Sequence, residues 1–205
     1  MEFLHSSGHE KFNYESITEL KNRMSELEVE LPFSRNYSVL LEPISVRDRV
    51  IPNSLAAHPM EGCSATPEGA PGELTYRKYK RFGEGGSGLI WMEATAVKEE
   101  GRSNPGQLML TTKTASKFKK LQKKTMEAAS NSLGDDHKPL TVLQLTHSGR
   151  YSKPEGTPEP IIAHHSEVLD PQHNLSLDYE LISDKELDKL QKRYVETALL
   201  ASKMG

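Results

Sequence analysis

The stretch Leu140-Thr-Val-Leu-Gln-Leu-Thr-His-Ser-Gly-Arg150 decides the fold class of this chain. Its apolar start predicts a buried strand, and an amide, an imidazole and a guanidinium follow at the strand's end. A second stretch, Gly88 to Val97, is a near-continuous apolar run that also precedes a polar loop. Such runs are typical of parallel strands that are covered on both faces.

An earlier apolar run, Leu55-Ala-Ala57, predicts a third strand, and an amphipathic helix is predicted after each of the three strands. Apolar residues recur at helical spacing in three segments: Leu74, Tyr76, Tyr79 and Phe82; Phe118, Leu121, Met126 and Ala129; and Leu187, Leu190, Tyr194, Ala198 and Leu199. The third segment follows Ser183-Asp-Lys-Glu186, which has the spacing of a capping box. The alternation predicts about three strand-helix units with parallel strands, in a barrel or in a doubly wound sheet. Periodicity does not choose between the two, and a whole barrel needs eight strands and typically ~250 residues.

The first part of the chain does not share this alternation. Ser16-Ile-Thr-Glu19 has capping-box spacing ahead of an apolar helical face, so we expect a helix before Pro32 and an N-terminal helical extension over residues 1–36. Ser38 to Pro43 and Ile44 to Ile51 are interpreted as short strands around a charged turn. We therefore expect a short β-hairpin to open the main domain, residues 37–205.

The amino-acid composition limits the classes of protein to which this chain can belong. The chain has 205 residues, 35% of them hydrophobic and 27% charged, with a net charge of −3. That balance lacks the basic excess of nucleic-acid-binding proteins, and no stretch approaches the ~18 apolar residues of a membrane span. Cys63 is the only cysteine, which excludes an internal disulfide and favours a reducing, cytoplasmic compartment. We expect neither nucleic acid nor membrane as a partner.

Candidate binding residues follow the predicted strands. In parallel strand-helix folds, ligands bind at the carboxyl ends of the strands. Three segments lie at such ends: Pro59 to Thr66, Glu93 to Val97, and Gln144 to Arg150. Gln144 offers a donor and an acceptor on one planar amide, which suits the edge of a heterocyclic ring. The alternative is a buried glutamine whose amide is satisfied by neighbouring backbone groups.

These segments, in this order and spacing, resemble the first part of an Old Yellow Enzyme family flavin oxidoreductase. The resemblance also rests on Gly69-Ala-Pro-Gly-Glu-Leu-Thr75, Phe82-Gly-Glu-Gly-Gly-Ser-Gly-Leu-Ile90 and Glu100-Gly-Arg-Ser-Asn-Pro105, and it covers roughly Val39 to Gly205. It implies the N-terminal portion of a (β/α)8 TIM barrel. It also implies FMN as the cofactor, NAD(P)H as the electron donor, and an activated alkene or similar acceptor as the small-molecule substrate.

The resemblance assigns five residues to flavin binding and none to catalysis. Main-chain groups at Pro59 and Met60 would lie against the isoalloxazine ring, the small Ala94 would let the backbone approach it, and Gln144 would bind the pyrimidine edge. Glu61 stands near flavin N5, where well-known members have Thr or Cys. A carboxylate there would disfavour the anionic reduced flavin.

Other conspicuous features have structural interpretations. Gly83 to Gly88 follows a helix and precedes a strand, so we interpret it as a helix C-cap and turn and not as a phosphate loop. The segment Tyr151 to Ile182 is long enough to be a functional or a disordered loop. We expect His147 and Arg150 to hold that loop through hydrogen bonds. His164-His165 lacks the spacing of a metal site.

Two alternatives to an active flavoenzyme stay open. Three strands of a barrel leave open edges and an uncovered face, so the chain would be a truncated or split-gene fragment that needs a complementary barrel half, or one that forms a homo-oligomer. The other alternative is an unrelated barrel enzyme or hydrolase. Its nearest nucleophile would be Ser148 beside His147, for which the sequence shows no third group to orient the pair.

Overall fold

The computed structural model describes residues 12–204, and the chain divides into two compact units after Tyr37. In the first unit, helix α1 (Ile17–Glu26) begins after Ser16, whose hydroxyl accepts a hydrogen bond from the Glu19 main-chain N–H at 3.2 Å. The Glu19 carboxylate accepts from the N–H of Glu15 at 3.0 Å. The predicted N-terminal helix is confirmed.

The second unit opens with a short β-hairpin. Strands β1 (Ile44–Val46) and β2 (Arg49–Ile51) pair antiparallel around a turn in which Arg47 has a φ of 55°. A hairpin is present in the predicted region, but both of its strands lie within residues 44–51, and the strand predicted for residues 38–43 is wrong. Ser38–Leu40 forms a 3-10 turn instead, in which the Leu41 N–H donates to the Ser38 carbonyl at 2.8 Å, and the Leu40 carbonyl accepts from the Ser54 N–H at 3.0 Å.

Parallel strands and helices then alternate, as predicted. In chain order the elements are β3 (Ala56–Ala57), α2 (Glu73–Glu84), β4 (Leu89–Ala96), β5 (Leu108–Met109), α3 (Ala115–Leu133), β6 (Leu140–Thr146), α4 (Leu169–Gln172) and α5 (Asp184–Ser202). Strand β5 was not predicted. No helix in the described range 12–204 is long and apolar enough to cross a membrane.

Strand β4 is the centre of a four-stranded parallel sheet. Strand β6 pairs with it along its whole length, from Leu89 opposite Leu140 to Ala96 opposite Thr146. Strands β3 and β5 pair with the start and the end of its other edge. All the strands therefore point the same way, and the loops that follow β3, β4 and β6 emerge at one end of the sheet.

Only one face of this sheet is covered by helices. Ile90 and Met92 are 0% and 5% exposed, and they pack in a core with Ala57, Tyr79 and Leu121. Trp91, which lies between them on the strand, is 42% exposed because its side chain points to the opposite face. In a closed barrel that opposite face is the packed interior. The part of the chain that the structure describes is thus an incomplete barrel wall.

Helices α2 and α3 cross at close range over the covered face. Gly83 lies on α2, and a Cβ atom added there would approach the carbonyl oxygen of Thr125 on α3 to 2.4 Å. The turn predicted after this helix is confirmed, since α2 ends at Glu84 with Gly85 as its C-cap and Gly86 at a φ of 81°.

An ion-pair network orders the long segment after β6. The guanidinium of Arg150 donates to the carboxylate of buried Asp170 on α4, and also to the carbonyl of His164 at 2.9 Å. Asp170 further accepts from His165 Nδ1 at 2.9 Å and from the Ser166 N–H at 3.1 Å. Arg150 therefore holds this loop, as the sequence suggested.

Burial of Asp170 raises its pKa, but the hydrogen bonds from His165, Ser166 and Arg150 outweigh burial and hold the pKa below its ordinary value. A carboxyl whose folded pKa is lowered stabilises the fold above its unfolded pKa, and this contribution disappears as the pH falls through the folded pKa.

We expect Asp170→Asn to lower the melting temperature at pH 7, because it removes the charge that Arg150 and His165 bind. The difference from the unsubstituted chain should be constant above roughly pH 5 and shrink as the pH falls below ~4. Thermal unfolding followed by circular dichroism between pH 3 and 8 measures it.

Asp188→Asn, at an exposed position of α5, is the matched control and should show no such pH dependence. An Asp170→Asn deficit that stays constant down to pH 3 would contradict the network as the cause.

Candidate active site at the strand ends

A β-bulge brings two of the predicted site residues together. The pairing of β4 with β6 runs from Met92 opposite Leu143 directly to Thr95 opposite Leu145. Glu93 and Ala94 therefore share the single partner position of Gln144. Bulges of this kind re-aim side chains and are common beside active sites.

Gln144 has an unused side-chain amide. It lies near the carboxyl end of β6, is half-buried, and makes no side-chain hydrogen bond to any residue in the range 12–204. The alternative that backbone neighbours satisfy this glutamine does not match the structure. Its planar donor and acceptor pair is therefore open to solvent or to a ligand at this point.

Pro59, Met60 and Glu61 lie in the loop that follows β3. The Met60 N–H donates to the His58 carbonyl at 2.8 Å, which forms a tight turn, and the Met60 side chain is 73% exposed. The Met60 carbonyl accepts from Lys78 Nζ at 3.2 Å. The main chain here is thus fixed from the helix side, while its other side stays open.

Glu61 connects the loop after β3 to the loop after β4. Its Oε1 accepts from the Ser103 hydroxyl at 2.6 Å and from Asn104 Nδ2 at 2.8 Å. A second link joins the same loops, since the Ala65 N–H donates to the Gly106 carbonyl at 2.9 Å. The carboxylate at this position therefore has a local structural partner.

Glu93 is the buried charge of the site. Its side chain is 1% exposed, and its carboxylate accepts from the Gly62 N–H at 2.6 Å and from Lys78 Nζ at 2.7 Å. The Tyr79 hydroxyl lies 3.4 Å from Glu93 Oε1 and accepts from the Glu93 main-chain N–H at 2.7 Å. The sequence did not single out Glu93, because a regular strand would simply point it away from Ala94.

The Tyr79 hydroxyl stays protonated beside this carboxylate. Burial, and then the charge of Glu93, raise the pKa of Tyr79 well above its usual range. The hydroxyl can therefore donate to the carboxylate while it accepts from the main chain.

The loop after β4 is closed by Arg102 and Gln107, which the sequence analysis missed. Arg102 is 3% exposed and donates to the carbonyls of Pro67, Pro105 and Gln107. Gln107 is also buried, and its Nε2 contacts the carbonyl of Ala94 at 3.4 Å. Arg102 lies within the segment Glu100-Gly-Arg-Ser-Asn-Pro105 and Gln107 follows it closely, which was the available signal. Through this contact with the Ala94 carbonyl, Gln107 supports the main chain at the bulge.

His147 is neutral and lines an open cavity of about 510 Å³ next to the loop at Tyr179. Burial lowers the pKa of His147, and its Nδ1 accepts from the Gly149 N–H at 3.1 Å. The ring packs against Gly101, where an added Cβ would lie 2.4 Å from it. Because Nδ1 is already occupied by Gly149, it is not a base for the Ser148 hydroxyl.

No group of three or more His, Cys, Asp or Glu side chains within residues 12–204 is arranged to hold a metal ion. Cys63 is exposed, and burial of its sulfur, followed by the charges of Glu61 and Glu93, raises the pKa of its thiol. This thiol is therefore less reactive than an ordinary one at neutral pH.

Comparisons with known proteins identify the family. The sequence profile of the NADH:flavin oxidoreductase / NADH oxidase family matches residues 39–205. A comparison with curated proteins gave no match.

Solved structures match at low identity. The Old Yellow Enzyme homologue of Zymomonas mobilis is 20% identical over 81% of this chain and 46% of its own, with a TM-score of 0.63. A morphinone reductase variant in complex with tetrahydroNAD is 20% identical over 81% of this chain and 46% of its own, with a TM-score of 0.59. A 2-naphthoyl-CoA reductase complex is 16% identical over 83% of this chain and 26% of its own, with a TM-score of 0.65.

This chain therefore spans less than half the length of these three structures. At such identities they show the fold, which is the first part of a (β/α)8 barrel. FMN and a reduced nicotinamide are the cofactors of the family whose profile matches. Since that profile covers more than half of the sequence, the chain belongs to the NADH:flavin oxidoreductase / NADH oxidase family.

Proposed function

We propose that this chain supplies the flavin-contacting wall of an FMN-dependent NAD(P)H oxidoreductase. Residues 37–205 would form the first part of its flavin domain and residues 1–36 a helical extension. The observation that carries the proposal is the free amide of Gln144, held opposite the Glu93–Ala94 bulge where the strands end. When bound, FMN would take hydride from NAD(P)H and pass it to an activated alkene or a similar acceptor.

The residues present fit a flat heterocycle. Gln144 would bind the pyrimidine edge, because its amide matches an N–H and a carbonyl side by side. Ala94 carries only a methyl group, so the backbone of the bulge can approach a ring closely. The exposed side of Pro59 and Met60 completes the same end of the sheet. The protein's part is thus to place and orient the flavin, while the cofactor carries out the redox chemistry.

Glu61 would tune that chemistry. A carboxylate near flavin N5 disfavours negative charge on the reduced ring, since like charges a few ångströms apart repel. Its hydrogen bonds to Ser103 and Asn104 fix its position at the strand ends. With a single cysteine in the chain, we propose that the enzyme works in the reducing cytoplasm.

A second candidate role is a non-catalytic barrel fragment that needs a partner. The exposed Trp91 and the half-buried strand β6 favour it, because the face that a barrel packs inward is open in the described residues. A complementary barrel half or a second copy of this chain would cover that face.

We expect the purified chain to bind FMN with saturation, and Gln144→Ala to raise the Kd by about tenfold or more through loss of two hydrogen bonds of ~0.5–1.5 kcal/mol each. Flavin fluorescence during titration measures both. Gln191→Ala, at an exposed position of α5, is the matched control and should bind like the unsubstituted chain. Equal Kd values for Gln144→Ala and the control would contradict the role of Gln144, and absence of any binding would favour the second candidate.

We expect Glu61→Gln to raise the reduction potential of bound FMN by tens of millivolts, because it removes a negative charge near N5 and keeps an oxygen that can accept from Ser103 and Asn104. Spectrophotometric titration against a reference dye measures the potential. Glu73→Gln, exposed at the start of α2, serves as the control for a charge change elsewhere. An unchanged potential in Glu61→Gln would place this carboxylate away from N5.

We expect the single tryptophan to report on the uncovered face. If another chain covers that face, Trp91 emission should shift to shorter wavelength as protein concentration rises, and Trp91→Glu should reduce the sedimentation coefficient at high concentration. Fluorescence and analytical ultracentrifugation measure the two effects. Emission and sedimentation that stay constant over a hundredfold range of concentration would mean that this face takes no second copy.

A further inference from the structure

Glu93 interrupts a strand that is otherwise uncharged and mostly apolar. Strand β4 has the sequence Leu-Ile-Trp-Met-Glu-Ala-Thr-Ala, and Glu93 is its only charged residue. Removing a carboxylate from water costs several kcal/mol unless donors replace the lost hydration. Three donors do so here, namely the Gly62 N–H, Lys78 Nζ and the Tyr79 hydroxyl.

These donors come from two other elements. Lys78 and Tyr79 belong to α2, and Gly62 belongs to the loop after β3. Lys78 Nζ also donates to the Met60 carbonyl at 3.2 Å. The carboxylate therefore holds the Met60–Gly62 main chain at two points, directly through Gly62 and indirectly through Lys78.

Gly62 lies directly against the ion pair. A Cβ atom added to Gly62 would lie 2.7 Å from Lys78 Nζ and 3.4 Å from Glu93 Oε2. A side chain here would therefore require the Lys78 ammonium group to shift. Glu93 also belongs to the bulge opposite Gln144, so it lies where the loop after β3 and strands β4 and β6 come together.

We propose that Glu93 is a positioning residue that fixes the Met60–Gly62 main chain against β4, in the register that the flavin pocket requires. The part of this inference that concerns flavin rests on the proposed function. Glu93 itself is buried and makes its contacts on the helix side, so it acts through the main chain and not on the cofactor.

The test compares two variants of the 205-residue chain. Glu93→Gln replaces an acceptor that serves three donors with an amide whose nitrogen must face a donor. The double variant Glu93→Leu with Lys78→Met replaces the ion pair with apolar side chains, an exchange that often leaves global stability unchanged. Glu84→Gln, which alters an exposed ion pair on the same helix, is the control.

Two readouts are needed. Amide hydrogen exchange at Gly62, followed by NMR without cofactor, reports the position of the main chain. FMN titration with absorbance detection reports the pocket through the Kd and the shape of the flavin band. We expect Gly62 to exchange about tenfold faster or more in both variants, and the Kd for FMN to rise by at least about tenfold with an altered band, while unfolding of the double variant by denaturant stays close to that of the unsubstituted chain.

Unchanged exchange at Gly62 in the double variant would overturn the proposal. Faster exchange with the same Kd and the same flavin band would also overturn it, because Glu93 would then be structural only. If the unsubstituted chain binds no FMN, the proposed function fails, whereas Gly62 exchange still decides whether Glu93 fixes the loop.

Discussion

The structure depends on one buried carboxylate in the middle of its central strand. A charge at that depth is tolerated only when its hydrogen bonds are complete, and the groups that complete them come from the preceding helix and the preceding loop. Helix α2, the loop after β3 and strand β4 are therefore held together by directional hydrogen bonds to the Glu93 carboxylate. Hydrophobic contacts supply most of the free energy of such a unit, but they are not directional. The hydrogen bonds to the Glu93 carboxylate are directional, so they orient these elements relative to one another.

Helices cover one face of the sheet and leave the other face uncovered, as expected for one part of a barrel wall. Trp91 is 42% exposed between the buried Ile90 and Met92, although a parallel strand is normally buried on both sides. The residues of β6 are half-buried throughout. A wall of this kind gains its full stabilisation only when further structure covers the inner face. The candidate binding groups at the strand ends likewise form one side of a pocket, and Ala94 and Gln144 are partly open to solvent.

Much of this arrangement could be predicted from the sequence. The apolar runs and the helical spacing located β4, β6, α2, α3 and α5, and the rule that ligands bind at strand ends pointed to Ala94 and Gln144. Short elements were not predicted. The two residues of β5 are too few to show a period, and the 3-10 turn at Ser38–Leu40 is accompanied by a contact with Ser54, which no local pattern encodes.

Glu93 escaped for a different reason. Periodicity assumes a regular strand, and a bulge breaks the alternation where it matters for the site. A lone carboxylate in a run of apolar residues was a visible anomaly, but its partners Lys78 and Gly62 are far away in sequence. The roles of Pro59, Met60, Glu61, Ala94 and Gln144 in flavin binding remain predictions.

The two loops that flank the site are fastened by chemically different means. The loop after β4 is closed by Arg102, which binds only main-chain carbonyls, and carbonyl oxygens carry no titratable proton. The loop after β6 is closed by Asp170, whose hold on Arg150 and His165 requires an ionised carboxylate. A fall in pH therefore weakens the contacts of the Asp170 carboxylate but not the contacts of Arg102 with carbonyl groups. On acidification, the contacts of Arg150 with the loop after β6 would therefore weaken before those of Arg102 with the loop after β4, so the acceptor that each arginine binds determines which of these contacts is lost first.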